Sequence, residues 1–377
     1  MSRNFLSKIA IIIGARPNFV KAAPLINAFK KNPQLRPIII HTSQHYDFLM
    51  SQIFFKELQI PKPDYCLNVG SGLPTWQTGQ MLIKLEEIFL KTNPDLVMVI
   101  GDTTSTLAGA LTAAKLHLPI AHVEAGLRSY NRQMPEEINR VLTDHLSDLL
   151  FCPTSTAVKN LKKEGITQGV HLVGDVMYDV FLKYRKIAAQ KSRQNGGRAK
   201  ILEKLNLTPK QYLLLTVHRA GTADELKILK NILRAVNKSK IKAIFPVHPR
   251  TRKQFNNGII EQFSNIQFIE PVGYLDMLSL ETNAQLILTD SGGVQKEAYW
   301  ARVPCVTLRA ETEWVETVKS GWNMLVGSDE RKIRTAIKTF RSTRKPTNDC
   351  GTGRSAYKIS QKIFFSTNVK TASQTAN

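Results

Sequence analysis

The sequence predicts an α/β fold built from two Rossmann-like, doubly wound domains, each a parallel sheet covered by helices on both faces. Three observations carry this. Short β-branched runs alternate with longer amphipathic stretches along the chain, the pattern of parallel strands joined by helical crossovers. The alternation comes in two series, separated near Lys186–Lys204 by a cluster of polar, basic and glycine residues. The length, 377 residues, suits two domains of ordinary size.

Strands of the first series are expected at Ile9–Gly14, Ile38–His41, Leu96–Ile100, Ile120–Val123, Leu149–Cys152 and Val170–Val173. Those of the second are expected at Tyr212–Val217, Ala243–Val247, Ile266–Phe268, Leu286–Thr289, Cys305–Thr307 and Met324–Val326. Each is a short apolar run of the kind buried on both faces. Helices are expected between most of them, at Phe19–Lys31, Thr75–Lys91, Thr104–Leu116 and Glu225–Asn237 among others. The polar stretch Ser366–Asn377 reads as a frayed tail. No repeat of 20–50 residues is present, which excludes a solenoid. Ligands of doubly wound sheets bind outside the carboxyl ends of strands, so a cleft between two such domains is the expected site.

Composition narrows the function classes. Hydrophobic residues at 42% and charged residues at 22% are ordinary for a folded chain and exclude wholesale disorder. Apolar runs such as Ile9–Ile13 and Leu96–Ile100 fall far short of the ~20 residues that span a bilayer. MSRNFLSK leads straight into a strand-like run with no long apolar region or small-residue cleavage site after it, so a secretory signal is not expected. Cys66, Cys152, Cys305 and Cys350 are scattered without a CxxC pair, so neither a disulfide framework nor a zinc site is expected, and a reducing cytoplasm fits. The net charge of +22 favours anionic partners. Lys183–Lys204 holds eight basic residues and one acid, and Arg331–Lys345 holds seven and none. Neither interleaves the aromatics that stack bases, and no DNA- or RNA-binding motif is evident. Solvated basic faces are therefore expected, and nucleic acid is not the expected partner.

The corners where strands end carry the chemistry. The first strand runs into Gly14-Ala15-Arg16-Pro17-Asn18-Phe19-Val20-Lys21. Gly14 permits a tight turn and Pro17 suits an opening helical turn. Arg16 and Lys21 are placed to meet an anion at that helix N-terminus. Neither GxGxxG nor a P-loop is present, which weighs against dinucleotide oxidoreductases and P-loop ATPases. Leu96–Ile100 ends at Gly101-Asp102-Thr103, where Asp102 is either a helix cap or an acid–base group. Ile120–Val123 ends at Glu124, with Gly126 close behind. Met134-Pro135 opens a helix on which Glu136 and Arg140, four apart, share a face. Three carboxylate corners in one half exceed what capping needs, and acid–base pairs are commonly built from carboxylates in contrasting environments.

In the second half His218-Arg219 follows a strand, and His248-Pro249-Arg250 repeats the cue. A histidine there can pair with phosphate or move a proton. Thr289-Asp290-Ser291-Gly292-Gly293 turns from strand into helix. Backbone N–H groups at that N-terminus can hold a diphosphate, with Glu297 one turn on to accept from ribose hydroxyls.

These segments together resemble the non-hydrolysing UDP-N-acetylglucosamine 2-epimerase family, including its relatives that act on UDP-diacetamido-uronates. The similar stretches are GARPNFVKAAPL, GDTTSTLAGAL, HVEAGLR, MPEEINR, TVHR, FPVHPRTRK, LILTDSGGVQKEA and PCVTLRAETEWVE, in order from about residue 8 to residue 327. The resemblance implies a glycosyltransferase B-type fold with a UDP-sugar in the interdomain cleft, a homodimer, and neither metal nor cofactor. It implies a first domain over 1–185, a second over 205–350, and a helix over 351–366 packing back on the first. By the resemblance Asp102, Glu124, Glu136 and His218 are catalytic. Arg16, Lys21, Gln77, Arg140, Met277, Ser291, Gly292, Gly293 and Glu297 then bind substrate.

The implied reaction is epimerisation at C2 of UDP-GlcNAc to UDP-ManNAc through loss and return of UDP. A UDP-diacetamido-uronate substrate, a hydrolysing epimerase and a glycosyltransferase are the neighbouring readings. The sequence departs from many members at Asn18, Gly221-Thr222, Ala310 and Thr352. Where some members carry a second-nucleotide motif this chain reads Gln44-His45-Tyr46-Asp47.

Overall fold

The computed structural model describes residues 6–14, 16–43, 58–70, 72–197, 199–255, 258–342, 344 and 350–374; the side chains of Arg16, Pro17, Ala220 and 367–374 lie outside that description, as does Gln44-His45-Tyr46-Asp47. The chain divides into two compact units, Met1–Val180 with Asn348–Asn377, and Phe181–Thr347. The division falls inside the helix Val176–Gln194. The polar cluster at Lys186–Lys204 thus lies beyond the point where the chain changes unit, because composition marks the exposed end of that helix.

The first unit holds a seven-stranded parallel sheet in the order β3-β2-β1-β4-β5-β6-β7. Its strands are β1 (Ser7–Ile13), β2 (Leu35–His41), β3 (Tyr65–Cys66), β4 (Leu96–Ile100), β5 (Ile120–Val123), β6 (Leu149–Cys152) and β7 (Val170–Leu172). All but β3 fall where the apolar runs place them; two residues are too few to show a period. Every residue of β4 is buried, as a central strand covered on both faces requires. The helix Pro74–Thr92 lays Met81, Leu85 and Phe89 on one face of the sheet, the i, i+4, i+8 spacing of an amphipathic helix. They pack with Ala10, Ile12, Val97 and Val99. The helix Ser355–Gln374 packs against the helix Arg16–Lys30 and continues past Ser366, where polar composition had ended the expected element.

The second unit holds a six-stranded parallel sheet in the order β10-β9-β8-β11-β12-β13. Its strands are β8 (Leu213–Thr216), β9 (Ala243–Pro246), β10 (Ile266–Ile269), β11 (Leu286–Thr289), β12 (Cys305–Thr307) and β13 (Asn323–Leu325). Leu229, Ile232, Leu233 and Val236 of the helix Leu226–Asn237 cover one face. In each sheet the strand order reverses direction once, at β1/β4 and at β8/β11, the crevice where doubly wound folds bind ligands. Among the described residues no helix is long and apolar enough to cross a membrane.

Candidate active site

In the first unit, β4 and β5 run side by side with Ile100 paired to Val123. Their next residues therefore emerge together. Gly101 has φ +71° and Glu124 φ +74°, both in the left-handed region that costs a non-glycine residue about 1–2 kcal/mol. Glu124 bears that strain and its buried carboxylate meets the ammonium of Lys21 from the helix Arg16–Lys30. A Cβ on residue 101 would stand 3.0 Å from Lys21 Nζ and 3.3 Å from Glu124 Oε2, so glycine there serves both the turn and the close approach. Asn18 Nδ2 donates to the Ile100 carbonyl at 2.9 Å, tying the same helix to the end of β4.

Asp102 does not cap the helix that follows. Thr103 does, accepting from Thr106 N, which leaves the Asp102 carboxylate to pair with Arg140 Nη2. Arg140 also donates through Nη1 to Glu137 Oε2 at 3.0 Å. The i, i+3 acid is thus an established partner on this helix. Glu137 is further committed to Ser129 N and Ser129 Oγ, both at 2.9 Å, and to Tyr130 N at 2.8 Å. Glu136, half-buried in the first turn of the same helix, has no hydrogen-bond or ion-pair partner among the described residues. Gln77 is buried and donates through Nε2 to the Gly70 carbonyl at 2.6 Å. Arg16 opens the first helix, with its side chain outside the description.

Beneath these corners lies a buried network that the sequence reading missed. His122 Nδ1 meets Asp144 Oδ1 at 2.7 Å, and His122 Nε2 meets the Gly101 carbonyl at 2.8 Å. Asp144 also accepts from Gly126 N at 3.0 Å and from Arg128 Nη1 at 2.6 Å. Arg128 forks onto Glu164 with two contacts of 2.7 Å. Burial pushes the Asp144 carboxyl up, but the charges and hydrogen bonds of His122 and Arg128 outweigh it and hold the group below the usual range. His122 thereby links the turn that carries Asp102 to the helix behind Glu124. The signal was present in HVEAG, but its partner lies 22 residues on.

In the second unit, β8 and β11 pair Thr216 with Thr289, whose hydroxyls meet at 2.6 Å. Two residues beyond each strand stand His218 and Ser291. Ser291 caps the helix Gly292–Ala301, accepting from Val294 N, so the N–H groups of the first helical turn point outward as an anion cradle. A Cβ on Gly292 would lie 2.6 Å from Glu313 Oε1 and 3.0 Å from Trp314 Nε1; the missing side chain makes room for the protein's own Glu313. Glu313 is paired with Arg309 at 3.1 Å and Arg219 at 3.5 Å. Gly293 follows in the same turn. Glu297 is buried and accepts from Tyr274 Oη at 2.7 Å. Burial first, then the Glu297 charge, pushes the Tyr274 phenol well above its ordinary value. Lys296 is buried over the Trp314 ring at 3.9 Å. Met277 is half-buried and packs against the core of this unit. Thus Ser291, Gly292, Gly293 and Glu297 come together at one helix N-terminus, and His218 on the adjoining strand end.

Comparison with known proteins places the chain in a family. The pattern that defines the UDP-N-acetylglucosamine 2-epimerase family matches residues 27–364. A protein of Methanococcus maripaludis named a UDP-N-acetylglucosamine 2-epimerase homolog is 55% identical over 357 residues, 93% of this chain and 98% of its own length. The UDP-2,3-diacetamido-2,3-dideoxy-D-glucuronate 2-epimerase of Pseudomonas aeruginosa is 48% identical over 341 residues, 88% of this chain and 92% of its own. The crystal structure of Methanocaldococcus jannaschii UDP-GlcNAc 2-epimerase in complex with UDP-GlcNAc and UDP matches with a TM-score of 0.87 at 44% identity, over 95% of this chain and 99% of that one. The two parallel-sheet units are of the glycosyltransferase B type that the family resemblance implied. Matched by the family pattern over most of its length and by relatives of 44–55% identity almost throughout, the chain belongs to the UDP-N-acetylglucosamine 2-epimerase family.

Proposed function

We propose that this isomerase epimerises C2 of UDP-GlcNAc, giving UDP-ManNAc, by expelling and re-adding UDP. The observation that carries the reading is the pair of carboxylates, Asp102 and Glu124, delivered to adjoining strand ends and each set against a cation, Arg140 and Lys21. C2 of the sugar has no attached carbonyl, so a carbanion there would be unstabilised. Loss of UDP solves this. A carboxylate takes the C2 proton, the C1–O bond breaks with its electron pair leaving on UDP, and C1=C2 forms. UDP then adds back to C1 while a proton reaches the other face of C2. Two faces require two proton-transfer groups. Glu136, without a hydrogen-bond or ion-pair partner among the described residues, suits the role of a group that must reorient, whereas Asp102 and Glu124 are fixed. We assign Arg140 to holding Asp102, in place of the substrate contact implied by the resemblance.

The departing diphosphate is stabilised by the N–H groups of Gly292 and Gly293 together with His218, a contribution of several kcal/mol in comparable sites, about 3–4 per donor; the Ser291 N–H is already given to the Thr289 hydroxyl. Glu297 binds the ribose. The homodimer implied by the resemblance is part of the same proposal. A second reading, a UDP-diacetamido-uronate substrate, is favoured by the 48% identity to the Pseudomonas aeruginosa relative.

Incubation with each UDP-sugar in deuterated water tests both readings. Deuterium at C2 with UDP still attached is the expected NMR result for the true substrate. Free UDP accumulating with a free sugar would point instead to a hydrolysing enzyme. Glu124→Gln that folds and keeps activity within a fewfold would remove Glu124 from the chemistry.

A further inference from the structure

We propose that Asp290 is a positioning residue that sets the His218 imidazole for its part in UDP departure; the inference rests on the role given to His218 above. Asp290 is wholly buried at the end of β11. Its carboxylate accepts from the backbone N–H of His218 at 3.0 Å and of Arg219 at 2.9 Å, and from the Thr222 hydroxyl. These bonds fold the segment after β8 around the carboxylate. His218 Nδ1 stands 3.7 Å from Asp290 Oδ1. That is outside hydrogen-bond range but close enough for attraction once the ring is charged.

The ring's other surroundings point the same way. It lies against the His248 ring, with centroids 5.4 Å apart. His248 Nδ1 accepts from Arg250 N at 3.1 Å, so that ring keeps its proton on Nε2. His218 is thus backed by a carboxylate on its Nδ1 side and by a ring of fixed tautomer. A proton on Nδ1 faces Asp290, and Nε2 is the nitrogen assigned to the substrate. A buried acid that orients a histidine in this way acts through tautomer and orientation, without touching substrate.

Asp290→Asn separates this role from a purely structural one. The amide oxygen in the place of Oδ2 can still accept from His218 N, Arg219 N and the Thr222 hydroxyl, while the NH2 takes the place of Oδ1, which stands 3.2 Å from His218 N and 3.7 Å from His218 Nδ1, and presents a donor where the ring had an acceptor. The expected result is a fall in kcat of about 100-fold with KM changed less than about threefold. In a His218→Asn background the same substitution should cost less than about threefold, because the residue through which it acts is gone. Thr222→Val, which removes one bond to Asp290 and leaves His218 intact, should give a smaller kcat loss that also vanishes in the His218→Asn background. Equal losses in both backgrounds, or a loss confined to KM, would overturn the inference. If His218→Asn alone keeps activity within a fewfold, the functional role of His218 fails instead, and the inference with it.

Discussion

Gly101→Ala is the most discriminating substitution in the first unit. Its cost has two separable parts. The backbone sits at φ +71°, where an alanine loses about 1–2 kcal/mol. At roughly 2–4 °C per kcal/mol for a domain of this size, thermal unfolding should move down by about 2–8 °C. The added Cβ would also lie 3.0 Å from Lys21 Nζ and 3.3 Å from Glu124 Oε2. Both are tips of side chains that can shift by a few tenths of an ångström, so the collision displaces the ion pair more than it unfolds the protein. A kcat loss exceeding what the stability change explains is expected. Two controls bracket it. Gly126→Ala has φ +79° and meets the Ala157 carbonyl oxygen at 2.5 Å; that backbone cannot yield, so the stability loss should be larger. Gly79→Ala lies within the helix Pro74–Thr92 with nothing within 4 Å and should stabilise by roughly 0.5–1 kcal/mol. Circular-dichroism melts and steady-state rates on the three variants decide it. An unshifted Gly101→Ala melt would refute the backbone argument, and an unchanged kcat would refute the claim that the ion pair must stay where glycine leaves it.

Two further perturbations address other parts of the molecule. Burial lowers the His41 imidazole to about 4, so between about pH 6.5 and 4 the unfolded chain takes up a proton that the folded one refuses. Stability is full above that window and falls as pH drops through it, by on the order of 3 kcal/mol; denaturant titrations of wild type and His41→Leu should differ in slope there, and parallel curves would contradict the assignment. Gly292→Ala adds a Cβ 2.6 Å from Glu313 Oε1, which should cost about 1–3 kcal/mol by overpacking and weaken UDP binding by calorimetry through displacement of Glu313 and its partner Arg219. Unchanged UDP affinity would detach that cluster from the nucleotide site.

The fold was legible because its strands are buried on both faces. An unbroken run such as Leu96–Ile100 needs no period to be read as a strand once turn residues bound it. The carboxyl ends of those strands then show where chemistry belongs. Asp102, Glu124, His218 and Ser291 were singled out in that way, and each stands just past the end of a strand. The two-residue β3 was not, since Tyr65–Cys66 offers neither run nor alternation. The point where the chain changes unit was not legible either. It falls at Val180, within an uninterrupted helix.

What the sequence concealed was the choice of partner. Glu136 and Glu137 lie four and three residues before Arg140, and helix geometry allows both pairings. The choice is fixed from outside the helix, by the N–H groups of Ser129 and Tyr130 converging on Glu137. Glu136 is thereby left for other work. Asp290 was hidden in the same manner. Within Thr289-Asp290-Ser291-Gly292-Gly293 it carried no expected role of its own, yet its bonds run to residues about 70 positions earlier. In parallel sheets, residues that perform chemistry stand at strand ends and announce themselves. The residues that orient them arrive from neighbouring strands of distant sequence, and only the strand order β8–β11 makes Asp290 and His218 adjacent.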